Sequence, residues 1–157
     1  MRAVTTLVFE RVYPALLGRL FALHEDPSVL VRIQPQGTFR LVSHPGHIRP
    51  GGRVVVLNRL GFVWFTFEFE HVVYEPPHRF GEVMVRGPFR SFRHIHEFEA
   101  CEGGTLVRDR LEFALPWWLG GGVAERWVAA RQIRGLFRKR QEALAEILED
   151  GSMGTPL

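Results

Sequence analysis

Residues 91–115 read SFRHIHEFEACEGGTLVRDRLEFAL, and the folding of this stretch decides the rest. On one side of Glu102-Gly103, Phe92, His94, His96 and Phe98 recur at every second position; on the other side Val107, Asp109, Leu111 and Phe113 do the same. Period-two alternation on both sides of a glycine turn predicts an antiparallel hairpin. Centring the turn on Glu102-Gly103 sets Phe92 opposite Phe113, Phe98 opposite Val107 and His96 opposite Asp109, all on the apolar face. Two histidines and an aspartate therefore point the same way as the phenylalanines.

The same pattern extends toward the N-terminus. Strands are predicted over 37–43, 53–60, 62–74, 79–86, 89–100 and 105–115, divided by His-Pro-Gly, Pro-Gly-Gly, Leu-Gly, Pro-Pro, Gly-Pro and Glu-Gly-Gly punctuation. A two-residue turn at Leu60-Gly61 sets Val54 opposite Phe67 and Val56 opposite Phe65, with Arg53 meeting Glu68 on the other face. Such a turn at Gly87-Pro88 sets Val83 opposite Phe92 inside and Glu82 opposite Arg93 outside. A further strand is expected over 3–11. Tyr13-Pro14 opens a helix whose apolar side is Leu16, Leu17, Leu20, Phe21 and Leu23, and Asp26-Pro27 ends it and caps a second short helix before Pro35. From 122 to 149 the period changes to 3.6, with Val123, Trp127, Ala130, Ile133, Phe137, Leu144 and Leu148 on one side, predicting one helix of about 40 Å. Residues 1–150 form a single domain on this reading, and 151–157, which lack periodicity, a disordered tail.

Seven strands at about 4.8 Å make a sheet roughly 30 Å wide, whereas a helix is only about 10–12 Å across. The fold class is thus α+β: a curved seven-stranded antiparallel sheet wrapped around a long C-terminal helix, with two short helices after the first strand. The space between is either filled by Phe65, Phe67, Phe69, Phe92, Phe98 and Phe113 or left as a cavity. Inward His71, His94, His96 and Asp109 favour the cavity, because buried polar groups need partners, water or a ligand.

The composition narrows the function. Of 157 residues, 46% are hydrophobic and 24% charged, which excludes disordered and collagen-like chains. The net charge is +3, and the arginines alternate with glutamates without forming a stripe that phosphates could follow, so no nucleic-acid partner is expected. No apolar stretch approaches the ~20 residues of a membrane helix, and no signal core is recognised at the N-terminus, which predicts a cytoplasmic protein without integral membrane contact. Cys101 stands alone, excluding an internal disulfide and a cysteine-zinc site.

The order strand, two short helices, six strands, long helix is that of the helix-grip fold. The chain resembles the SRPBCC superfamily of START-related lipid carriers, pollen-allergen-like proteins and polyketide cyclase/dehydratase-like proteins. It is most similar to a bacterial branch, mostly of unknown function, through Pro76-Pro77-His78-Arg79-Phe80, Gly87-Pro88-Phe89, Phe92-x-His94-x-His96-x-Phe98, Gly104-Thr105-Leu106-x-x-Asp109 and Pro116. Phe92 stands where that branch is expected to carry Trp. The resemblance spans residues 3–149 and implies a small-molecule pocket more than any reaction.

His94 and His96 project from one face about 6.5–7 Å apart along the strand, a spacing usable by a metal with Asp109 or His71 as third ligand, or by a His-Asp acid/base pair. Against both stands structural pairing of the histidines with Asp109, and no metal or other cofactor is assigned. His24, His44, His47 and His78, beside turns or helix ends, read as surface residues. Trp117 and Trp118, followed by three glycines, either cap the core or form a gate; Trp127 and Phe137 read as core residues bordering the pocket. Arg134, Arg138, Lys139 and Arg140 read as a solvated basic face.

The function expected is the binding of a hydrophobic or aromatic small molecule, lipid, quinone or polyketide-like, for transfer, storage or sensing. Its candidate ligand-binding residues are Phe65, Phe67, Phe69, His71, Phe92, His94, His96, Phe98, Asp109, Leu111, Phe113, Trp117, Trp127 and Phe137. The alternative is a cyclase/dehydratase in which His94, His96 and Asp109 move protons. A ligand-free interaction module is the third option, and a homodimer is left open.

Overall fold

A computed structural model describes residues 4–151, so the expected tail lies outside the described residues apart from Gly151. Seven strands, β1 (Thr5–Tyr13), β2 (Phe39–Ser43), β3 (Arg53–Leu60), β4 (Val63–Glu75), β5 (Arg79–Arg86), β6 (Ser91–Cys101) and β7 (Gly104–Ala114), form one antiparallel sheet in the order β1-β7-β6-β5-β4-β3-β2. Two short helices, α1 (Leu17–Glu25) and α2 (Pro27–Arg32), connect the two edge strands β1 and β2. Asp26 caps α2 by accepting the Ser28 backbone N–H at 2.8 Å. Pro14 lies before α1 rather than at its first position, and Leu16, outside the helix, is exposed instead of belonging to the apolar side.

The C-terminal rod is interrupted. A 3-10 turn (Trp117–Leu119) precedes α3 (Gly121–Ala124), a π segment (Glu125–Ala129) and then α4 (Ala130–Glu149). Its inner side serves one half of the sheet. Leu144 and Ile147 pack with Leu20, Phe21, Phe98 and Val107, while Ala130 and Phe137 pack with Leu7, Leu111 and Phe113. Phe137 stacks on Phe9 of β1, with ring centroids 4.6 Å apart. A third cluster, Val54, Val56 and Phe67 with Phe39, Leu41, Phe65 and Phe69, contains no helical residue. The single rod covers β1, β7 and β6, and the apolar face of β2, β3 and β4 is left facing open space. This is the helix-grip architecture expected from the mismatch in widths.

The β6–β7 register pairs Phe92 with Phe113, His96 with Asp109 and Phe98 with Val107, as the turn at Glu102-Gly103 predicts. The β3–β4 turn falls at Gly61-Phe62, so Val54 pairs with Phe69 and Val56 with Phe67. That is a shift of two, which keeps every side chain on its expected face. The β5–β6 register is shifted by one: Glu82 pairs with His94, Phe80 with His96 and Val83 with Arg93. A slip of one exchanges the faces. Glu82 is inside, and the expected outward pairing of Glu82 with Arg93 is corrected.

Candidate functional site

A cavity of about 1200 Å³ lies between the open half of the sheet, the rod and the two short helices. Its apolar wall comes from β3, β4 and β6: Val54, Val56, Phe65, Phe67, Phe69 and Phe92, with Leu111 from β7 and Phe137 from α4. Leu60 and Gly61 of the β3–β4 turn and Leu119, Trp127 and Val128 also line it, and all five are exposed, so the cavity opens to solvent between these segments.

Ten of the expected binding residues line the cavity: Phe65, Phe67, Phe69, His71, Phe92, His94, His96, Leu111, Trp127 and Phe137. Four do not. Phe98 is turned toward α1, where its ring meets Phe21 edge-on at 5.2 Å. Phe113 is wholly buried between the sheet and the start of α4. Asp109 sits behind the histidines, one strand further from the open half. Trp117 is exposed on the 3-10 turn. Trp118 and Trp127 are exposed as well, so the tryptophans cap no core and Trp127 is no core residue.

At its polar end the cavity is floored by adjacent strands. Asp109 Oδ1 receives the His94 Nε2–H at 2.9 Å. The same oxygen lies 2.6 Å from His96 Nδ1, but out of line for a hydrogen bond, so that nitrogen has no hydrogen-bond partner among the described residues. On the other side of His94, Nδ1 is 3.5 Å from Glu82 Oε1, and Glu82 Oε2 is 3.6 Å from His71 Nε2. His71 Nδ1 faces the Gly52 carbonyl at 3.3 Å. All three histidines are buried, as is Asp109.

This packing sets the charges. Burial opposes ionisation of Asp109, but the His96 and His94 rings beside it outweigh that penalty and hold its carboxyl well below the usual range. Glu82 is likewise disfavoured by burial, yet its contact with His94 and the nearby His96 and His71 bring it down to about 2. Burial works against the charged form of His94, and the carboxylates on either side of it prevail and raise its pKa. His96, desolvated and next to a charged His94, is pushed down. The result is a carboxylate–imidazolium–carboxylate row beside a neutral imidazole.

Two further groups escaped the sequence reading. His24 is no surface residue: it lines the cavity, its ring lies 5.8 Å from that of His96, and burial pushes its pKa down to about 4. Its position four residues after buried Leu20 on α1 was the available signal. Arg140 leaves the expected basic face, with its guanidinium 4.8 Å from the Phe137 ring centre and lining the cavity. His44 also lines the cavity.

The fold and the cavity define an α+β helix-grip protein with a phenylalanine-walled chamber and a carboxylate–histidine floor. No family model and no curated protein matches the chain. Solved structures do. A Thermus thermophilus protein superposes with a TM-score of 0.74 at 16% identity, over 94% of this chain and 99% of that one. A Rhodobacter sphaeroides protein gives 0.73 at 19%, over 93% of each chain. A Mycobacterium smegmatis protein gives 0.72 at 19%, over 94% and 96%. At these identities the likeness is one of fold. Among the described residues no helix is long and apolar enough to cross a membrane.

Proposed function

We propose that the protein holds a hydrophobic or aromatic small molecule, of lipid, quinone or polyketide type, in the chamber between sheet and rod, for transfer, storage or sensing. The observation that carries this reading is the chamber itself. Its roughly 1200 Å³ is above the size of ordinary ligand pockets, about 300–1,000 Å³, and Phe65, Phe67, Phe69, Phe92 and Phe137 line it together with the histidines of the floor and charged groups of α4 such as Arg131 and Arg140. A wall of that kind gains by covering its apolar surface with a guest, at about 25 cal/mol per Å². The resemblance to the SRPBCC superfamily, whose members include lipid carriers, points the same way.

The test uses exposed Trp127 on the chamber wall. Native mass spectrometry of freshly purified protein should show adducts of discrete mass. Titration with long-chain fatty acids, quinones and aromatic polyketides should blue-shift the tryptophan emission of the wild type and shift it far less in Trp127→Phe. Absence of adducts together with no saturable spectral change for any of the three classes removes the reading.

A second reading, a cyclase/dehydratase-type enzyme, is favoured by one observation: His96, a buried neutral imidazole beside Asp109 and the carboxylate-flanked His94, lies on the chamber wall and is suited to moving a proton on a bound polyketone. It predicts that His96→Ala stops turnover while fold and guest affinity persist. Loss of folding in that variant assigns the histidine a structural role.

A further inference from the structure

We propose that Glu82, His94 and His96 bind a divalent first-row cation of the Zn2+ type at the polar end of the chamber. The proposal does not depend on the guest, because it concerns only groups of the floor.

The first argument is distance. One ligand atom from each of the three residues lies within 4.8 Å of the others. Glu82 Oε1 and His94 Nδ1 are 3.5 Å apart, too far for a strong hydrogen bond. Two ligands each about 2.0–2.1 Å from a tetrahedral zinc stand about 3.4 Å apart. The carboxylate and imidazole are therefore spaced as neighbours around a cation.

The second argument is orientation. A metal-binding imidazole normally donates its other N–H to a carboxylate or backbone carbonyl, which fixes the lone pair toward the metal. His94 does this: Nε2 donates to Asp109 at 2.9 Å, and Nδ1 is the atom that faces Glu82. His71 repeats the arrangement beside the other oxygen of Glu82, with Nδ1 toward the Gly52 carbonyl and Nε2 toward the carboxylate. It stands as the outer support of Glu82.

The third argument is the unsatisfied atom. His96 is 6% exposed, and its Nδ1 has no hydrogen-bond partner among the described residues. Beside its 2.6 Å ion-pair contact with Asp109 Oδ1, the ring makes no directed hydrogen bond at this nitrogen, and a bound cation would give the buried imidazole a directed partner. The ladder also gives the rigidity such a site requires, since Glu82 pairs directly with His94 across β5 and β6, two residues from His96. Binding displaces the Nδ1 proton of His94 to solvent, and the resulting two neutral imidazoles and one carboxylate suit zinc-like cations and leave a coordination position for an oxygen of a ligand in the chamber.

The test is direct binding of metal to chelator-stripped protein, with no guest added. Co2+ followed by its visible absorption and Zn2+ followed by calorimetry should each show one equivalent per chain. Glu82→Gln and His96→Gln, each close in shape to the original, should weaken binding at least tenfold, and Asp109→Asn by about 10–100-fold through loss of the supporting hydrogen bond. A double change of the exposed His47 and His78 to Gln should leave it unaltered. Circular dichroism confirms which variants remain folded, and any one folded variant of the first pair suffices. No uptake by the wild type, or uptake insensitive to Glu82→Gln and His96→Gln, overturns the proposal in favour of a floor held by the His94 proton alone.

Discussion

Replacing Asp109 by Asn in chelator-treated protein keeps the shape of the side chain and removes its charge. In the native floor Asp109, 7% exposed, accepts from His94 and touches His96. Without it the buried imidazolium of His94 is faced only by Glu82, at 3.5 Å. Removing one partner of a buried ion pair costs about 3–5 kcal/mol while the remaining charge persists, whereas losing a neutral hydrogen bond costs about 1 kcal/mol. The pH dependence follows from the directions of the two shifts. Asp109 is depressed, so its contribution is present above the ordinary aspartate pKa near 3.8 and is lost as pH falls below it. His94 is raised, so its contribution is complete below its ordinary value near 6.5 and fades as pH climbs through the raised one. The penalty should therefore be largest between these limits, about 3 kcal/mol near pH 5.5, and should fall toward about 1 kcal/mol at alkaline pH once His94 has lost its proton. For a chain of this size that is a drop in Tm of about 6–12 °C at the lower pH and about 2–4 °C at the higher. Urea unfolding of both proteins at the two pH values measures it. A penalty that is flat with pH, or smaller at the acid value, refutes the charge assignment.

Other outcomes follow from the packing. Val54→Phe places its added ring in the chamber and should cost under about 1 kcal/mol, less than the 1–3 kcal/mol of ordinary overpacking, while lowering guest capacity; Phe113→Ala, in the solid half, should cost about 3–5 kcal/mol, and urea melts compare them. Gly104 has a φ of +138°, and a Cβ there would collide with the Tyr13 carbonyl oxygen, so Gly104→Ala should sharply reduce the yield of folded protein, while the exposed Gly122→Ala should not. His24, neutral in the fold with its pKa near 4, makes stability fall by up to about 3 kcal/mol as pH drops from 6.5 toward 4, because the unfolded chain takes the proton first; His24→Gln should flatten this acid limb in melts across that range.

The floor was only partly legible in the sequence, and the reason lies in turn geometry. At Glu102-Gly103 the turn is short and glycine-bearing, so counting outward gave the β6–β7 register and paired His96 with Asp109. At Gly87-Pro88 the chain makes no two-residue turn. Residues 87–90 form a wider bend, and Phe89 is carried onto the chamber wall. The opposite charges of Glu82 and Arg93 supported the wrong register, and the slip of one hid the carboxylate beside His94. Bulges in β4, between Glu68 and Phe69 and between His71 and Val73, further re-aim side chains in ways that period-two counting cannot follow. The rod was legible as a helix over 122–149, but its π segment, which accompanies the exposure of Trp127 and Val128, leaves no mark in a 3.6 period.

The edge strand β1 has a consequence for how the molecule is made. Its partner is β7, and Thr5 meets Phe113 across a separation of about a hundred residues, so the first of the seven strands to be synthesised is paired by the last of them. At about 5–20 residues per second, that strand waits roughly 5–20 s with its backbone unpaired. Glu10 and Arg11 on it, like the bends that close the neighbouring hairpins, are then its protection against pairing with another nascent chain.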